Sequence, residues 1–201
     1  VLGARPNPKA PAVLRRRLVE AGPRIATFNS NAFNIVTGVR GEIVEGWNYD
    51  VFYSYQRSEF VNTLENDQSI SRIQAALDNC PVGSPDGCLP IDFFSAGGLT
   101  PEAVDYINLN AITQQLFERN NFQANVSGEL FQLPAGALAL AAGFEYREDS
   151  LEFIPDDSFQ AGDLTGFNAQ QPIAGTTDVY EIYGEVIIPV LKDLPLVHAF
   201  N

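Results

Sequence analysis

Few side chains in this sequence are placed to do covalent or metal chemistry. His198 is the only histidine. Without a second one, a nucleophile–base pair has no base and a zinc site is short of ligands. Cys80 and Cys88 stand eight positions apart in a Pro-, Gly- and Asp-rich stretch with no histidine near them. Such a pair predicts a disulfide, and with it an oxidising compartment. Glu145 and Glu181 could make a carboxylate pair. As polar-side residues of two different strands they are expected instead to solvate that side and meet Arg147 or Arg40. Asp156, Asp157 and Asp163 could offer oxygens to calcium. They lack the ordered spacing of a calcium-binding loop, so a solvated acidic loop is expected. Gly97-Gly98 reads as turn punctuation, since no glycine-rich phosphate motif and no lysine follows. Arg15-Arg16-Arg17, the one basic cluster, reads as a solvated loop face. No catalytic residue, cofactor or metal site is expected.

Those residues must be carried by something, and the composition narrows what. The chain has 201 residues, 45% hydrophobic and 18% charged, with a net charge of -13. This is globular composition rather than disorder. The negative balance argues against nucleic acid as a partner, because a phosphate backbone needs a Lys/Arg footprint. No run of 18 apolar residues occurs, so no transmembrane helix is expected; strands that cross a membrane never give such a run. Phe (14) and Tyr (7) are plentiful, which suits strands.

The pattern that organises the chain lies between Arg119 and Asp149. Phe122, Ala124, Val126, Gly128 and Leu130 alternate with Asn121, Gln123, Asn125, Ser127 and Glu129. After Leu133-Pro134-Ala135-Gly136, Leu138, Leu140, Ala142, Phe144 and Tyr146 alternate with small or polar residues. Successive strand side chains point to opposite faces, so each run has one apolar and one polar face. A Pro and a Gly between such runs predict a hairpin. The same period appears at 25–43, at 47–62, where Trp47, Tyr49, Val51, Tyr53 and Tyr55 share a face with Phe52 the exception, and at 177–189. Helical spacing predicts a helix over Ser69–Asn79. Thr100-Pro101-Glu102 has the cap, the first-turn proline and the acid of a second helix start.

Five strands are therefore expected, near 25–43, 47–62, 113–131, 137–153 and 177–189. They should form an all-β, antiparallel meander with short helices in a long loop. Runs of about 9–11 alternating residues suit a soluble sandwich or a membrane-spanning barrel. The connections decide between them. Short ones (44–46, 133–136, 189–195) alternate with long ones (64–112, 154–176), as the periplasmic turns and extracellular loops of outer-membrane barrels do. On that expectation the sheet is part of a transmembrane β-barrel. Tyr49, Val51, Tyr53, Phe122, Val126, Leu138, Leu140 and Phe144 should then face lipid. Asn121, Asn125, Glu129, Glu145, Arg147 and Glu181 should face the lumen. The alternative is a soluble extracellular β-sandwich that binds carbohydrate. An enzyme on a β-scaffold is disfavoured by the poverty of catalytic groups.

Several segments also resemble a family. They are Cys88-Leu89-Pro90-Ile91-Asp92-Phe93-Phe94, Gly98-Leu99-Thr100-Pro101-Glu102-Ala103, Leu133-Pro134-Ala135-Gly136 with Gly143-Phe144-Glu145-Tyr146-Arg147, and Tyr180 to Pro195. In order and spacing they resemble TonB-dependent outer-membrane receptors, from about residue 14 to 195. The resemblance implies a barrel of about 22 strands with a plugged lumen. It implies uptake of a scarce small molecule (a siderophore, vitamin or saccharide) driven through a TonB energy-coupling protein. Outer-membrane lipid would surround the barrel. Neither a plug nor a TonB box is recognisable here. Val1-Leu2-Gly3-Ala4-Arg5 has no start Met and no secretory signal, and the chain stops just after a turn. The expectation is a mid-barrel fragment of a longer protein.

Overall fold

The computed structural model describes residues 16–80, 87–95, 97–194 and 197–200, with backbone only for 192–194 and 197–200. Arg15 of the basic cluster and Pro195 of the last turn lie outside the described residues, as does the side chain of His198. The period-2 runs become β1 (Ile25–Val44), β2 (Trp47–Gln68), β3 (Asn108–Leu133), β4 (Gly136–Pro155) and β5 (Ile173–Ile187). They form one five-stranded sheet in chain order, each strand antiparallel to the next. The protein is thus mostly β, and the meander is as expected. The sheet is open, with β1 and β5 as its two edges. A separate two-stranded hairpin, β6 (Leu191–Leu194) with β7 (Val197–Phe200), follows, so 191–194 is strand and not part of the short turn expected at 189–195.

Some boundaries differ from the expected ones. β2 runs on to Gln68, β3 begins at Asn108, and β5 spans 173–187 rather than 177–189. The period fails at the extensions of β2 and β3 because a register shift lies between Leu64 and Asp67, and both sides there are covered by loop residues. Phe52, the aromatic on the polar side, stands opposite Gly38. A Cβ on Gly38 would lie 2.7 Å from the Phe52 Cβ, so the glycine makes room for the ring.

The first long connection holds α1 (Ile70–Leu77) and α2 (Pro101–Ile107). Ser69 caps α1 by accepting the Arg72 N–H, and Thr100 caps α2 by accepting the Ala103 N–H, with proline in the first turn. These caps satisfy N–H groups that the helix itself leaves free. The second connection, expected as loop, contains α3 (Asp157–Ala161), capped by Asp156 and ended by Gly162 in the left-handed region. A helix of five residues shows too little periodicity to be read from sequence.

The buried core sits in these connections, not between two sheets. One cluster joins Ala21, Phe93, Leu99, Val104 and Ile107; another joins Leu64 and Ala111 of the sheet to Phe159 and Leu164 of the second connection. Together they make a cap at one end of the sheet. Among the described residues no helix is long and apolar enough to cross a membrane, which says nothing of strands.

Cys80 and Cys88 are disulfide-bonded, with Cα atoms 5.5 Å apart. The bridge closes a short loop between α1 and α2, so the chain-entropy argument gives it about 2–3 kcal/mol. Protein purified without reductant should show no titratable thiol; two free thiols per chain would contradict the pairing.

Candidate functional site

Residues paired across antiparallel strands share a face, so the register assigns every side chain of the sheet to one side. Val39, Val51, Ala124, Phe144 and Ile182 form one cross-sheet row. The next row toward the cap is Thr37, Tyr53, Phe122, Tyr146 and Tyr180. Tyr49, Val126, Leu138 and Leu140 fall on the same side. All the residues expected on the apolar face are therefore together. This face is bare: Ile35 is 60% exposed, Val39 63%, Tyr180 70% and Ile182 87%.

The apolar face has a limit. On β4 it runs from Leu138 to Tyr146, roughly 26 Å along the strand at 3.3 Å per residue. Beyond Tyr53 and Tyr146 the same side carries Asn120, Glu148 and Asp178, then Arg57 and Glu118. Tyrosines mark the change, and the hydroxyls of Tyr53, Tyr55 and Tyr146 point one way. Tyr53 donates to Asn120 at 2.6 Å, Tyr55 donates to Glu118, and Tyr146 donates to Asp178 at 3.0 Å. Each acceptor lies one row nearer the cap. The rings stay with the apolar band while the hydroxyls meet polar groups above it. From Phe33 on β1 through Tyr55 on β2 to Phe122 on β3 the limit drops one row at each step, and it stays in that row at Tyr146 on β4 and Tyr180 on β5. Strands tilted to a common plane give such a stagger.

The other face is polar. Asn121, Asn125, Glu129, Glu145, Arg147 and Glu181 all lie on it, as expected. Glu145 stands opposite Glu181 in the register, and Arg147 bonds Glu145 at 3.1 Å. Arg40 lies opposite Asp50 on β1, three strands from Glu145, so the partner is Arg147 and not Arg40. Glu129 accepts from Gln132 at 3.1 Å. Two arrangements were not anticipated. Arg119 holds Asp149 at two points, 2.6 and 3.0 Å, with the planar fork that suits a carboxylate. Tyr183 accepts from Gln123 at 2.7 Å and donates to Asn125. Its ring lies over Gly143, where a Cβ would come within 2.3 Å of it. Counting pairs outward from the 133–136 turn brings Arg119 near Asp149; the Tyr183 contact has no such local signal.

Phe159 and Leu164 pack against Leu64 and Ala111, and both sheet residues belong to the polar face. The cap therefore leans over that face. A polar seam ties its two connections together. Ser69 bridges to Leu164, Ile70 N–H bonds Asp163 O at 2.8 Å, and Asp163 accepts from Ser71 N–H at 2.6 Å. Asp156 accepts from Ile112 N–H at 2.6 Å as well as capping α3. Asp156 and Asp163 are thus backbone caps and clasps rather than the solvated acids expected, whereas Asp157 is exposed as expected. Among the described residues no group of three or more His, Cys, Asp or Glu could hold a metal ion. Asp92 is held below the usual carboxylate range by the Ser95 hydroxyl and then by the Phe94 and Ser95 N–H groups. Glu102 is lowered by its own N–H and the Thr100 hydroxyl. Because both folded values are depressed, their support of the cap is present above the ordinary carboxylate range and lost as pH falls through the folded values.

Asp67 is fully buried at this seam. It accepts from Thr165 Oγ1 and from Gln68 N–H, both at 2.8 Å, and pairs with Arg24 at 2.6 Å. Arg24 also donates to Thr165 O at 2.8 Å. A hollow of about 1230 Å³ lies beside it, lined by Arg16, Arg17, Arg24, Ile70, Ile73 and Phe93 among others. No protein-family model matches this chain, and no curated protein or solved structure matches it either.

Replacing Arg24 would leave the Asp67 charge buried without its counter-ion. Arg24 itself is 43% exposed, so the cost should fall toward the low end for a broken buried pair, about 3 kcal/mol. Hydrogen exchange on Arg24→Ala should show faster exchange at Gln68, Ser69 and Thr165 with the β3–β4 hairpin unchanged. Unchanged exchange at the seam would contradict the assigned role.

Proposed function

We propose that the chain is the middle of the β-barrel of a TonB-dependent outer-membrane receptor, which takes up a scarce small molecule. In this reading the apolar face meets lipid, the polar face lines the lumen, and the cap is extracellular. The observation that carries it is the set of Tyr53, Tyr55 and Tyr146 at the edge of the apolar band. Their rings sit at the edge of an uncovered apolar band and their hydroxyls point out of it toward the cap, as aromatic residues do at a membrane–water interface. The band on β4, about 20 Å tall once tilted, is close to the apolar belt of such barrels. Lipid offers no hydrogen bonds, so a spanning sheet must close; the open edges β1 and β5 call for further strands. A soluble sandwich would cover the apolar face with a second sheet, whereas Ile182 is 87% exposed.

Support for a receptor rather than a passive pore comes from the order and spacing of the segments at 88–103, 133–147 and 180–195, and from the cap leaning over the polar face. The partners are outer-membrane lipid, a small-molecule ligand, and a TonB protein acting through parts outside this chain. No catalytic role is assigned. Cell fractionation tests the assignment: the protein should be in the outer membrane and need detergent for release.

The two faces should also differ in tolerance. Val51→Arg, in the middle of the apolar band, should cost about 2–4 kcal/mol, and Ser127→Arg on the polar face little. Refolding titrations of the whole receptor into lipid measure this, and equal tolerance at both sites would count against the barrel.

A further inference from the structure

The polar face changes character just beneath the cap. Four phenylalanines come to the same side there: Phe28 on β1, Phe60 on β2, Phe117 on β3 and Phe153 on β4. The register interleaves them with Ser30, Ser58, Asn62, Thr113 and Gln115 and with apolar Ala32, Leu151 and Ile173, none of them charged. Phe28 and Phe60 stack with centroids 5.7 Å apart and planes 22° apart, yet remain 61% and 40% exposed. The nearest charges on this face, one row toward the turns, are Arg119 and Asp149, whose two-point pair is joined by Arg147 at 3.5 Å, itself paired with Glu145. Arg119 also lies 5.5 Å over the Phe117 ring. Phe159 and Leu164 overhang the same face.

The chemistry of this patch selects its ligand. Among the described residues of these rows an ionic ligand would find no counter-charge. A wholly apolar partner would cover the Ser, Asn and Gln side chains without satisfying them, which costs free energy at each. A neutral ring with apolar C–H faces and hydroxyl edges meets both requirements. Its faces lie on the phenylalanines and its hydroxyls reach the interleaved hydroxyl and amide groups. We propose that Phe28, Phe60, Phe117 and Phe153, with Ser30, Ser58 and Gln115, form a binding site for a neutral saccharide at the mouth of the lumen. The proposal rests on the receptor reading above.

The test uses the full-length receptor in detergent micelles. Maltohexaose, cellohexaose, xylohexaose and chitohexaose are titrated in turn by calorimetry. Gel mobility that changes on boiling reports whether each preparation holds a closed barrel. At least one hexasaccharide should bind. The double variant Phe28→Ala with Phe60→Ala should bind it at least about tenfold more weakly, the size of effect expected for central aromatic contacts. Phe60→Tyr, which keeps the ring, should retain affinity within about threefold, and Val39→Ala on the opposite face should leave it unchanged. A folded barrel that binds none of the four, or whose affinity survives the double replacement, overturns the saccharide site and leaves the receptor reading standing. So does a folded double variant that is merely less stable, with no binding in the parent, since the patch then packs against the receptor's own chain. A parent protein with no heat-modifiable band overturns the receptor reading, and this proposal falls with it.

Discussion

The register of the antiparallel ladder is the constraint on which everything else in this protein depends. Side chains alternate with a period of two, so a slip of one residue on any strand would exchange its faces. The ladder runs unbroken from Gly41↔Tyr49 to Ile25↔Glu65 and from Trp47↔Gly128 to Leu64↔Ala111. The three irregularities lie near the ends, at Glu42/Val44, Leu64/Asp67 and Glu129/Phe131. Bulges there adjust the strand ends without disturbing the middle. Contacts that need one register hold it: Tyr183 over Gly143 with Asn125, Phe52 beside Gly38, and Arg119 on Asp149.

From the register follows a division of the molecule by energetics. The cap buries its apolar residues against one another, with Ile107, Ala111 and Leu164 wholly removed from solvent. The sheet does not: β1 is exposed from end to end, and the apolar side of β5 is bare. An apolar face of this extent is not stable against water, and unpaired strand edges invite association. The cap residues are thus packed against one another and against Leu64 and Ala111 of the sheet, whereas no described residue covers the apolar side of the edge strands. The seam at Asp67, Ser69 and Asp163 anchors the cap to the end of β2, so that the loops lean over the polar side in one place.

Much of the sheet was legible from the residues. Within the five-stranded sheet, strand number, order, the two hairpin turns and both face memberships follow from the alternation in 25–43, 47–62, 119–149 and 177–189, whereas β6 of the β6–β7 hairpin falls where a turn is expected. The Ser69 and Thr100 caps were legible too, because a helix start has local chemistry. What was not legible depended on residues far apart in the chain. Asp156 and Asp163 look like solvated acids until Ile112 and Ser71 are brought to them. The extensions of β2 and β3 are hidden by the register shift and the cap. The aim of the tyrosine hydroxyls is a cross-strand property, since Tyr53 needs Asn120 and Tyr146 needs Asp178. The phenylalanine patch is likewise assembled from four strands, each giving one ring.

The central claim is that one face of this sheet meets lipid and the other water. Nitroxide labels placed singly along residues 137–147 of β4, leaving out Gly143 beneath the Tyr183 ring, in the full-length protein reconstituted into bilayers, test it most directly. Power-saturation measurements compare collisions with oxygen, which concentrates in lipid, and with a water-soluble nickel chelate. The account predicts alternation: oxygen-rich at 138, 140, 142 and 144, chelate-accessible at 139, 141 and 145, with the oxygen signal falling off at 146. Chelate access at every position, or an apolar side that follows the odd numbers, would contradict it.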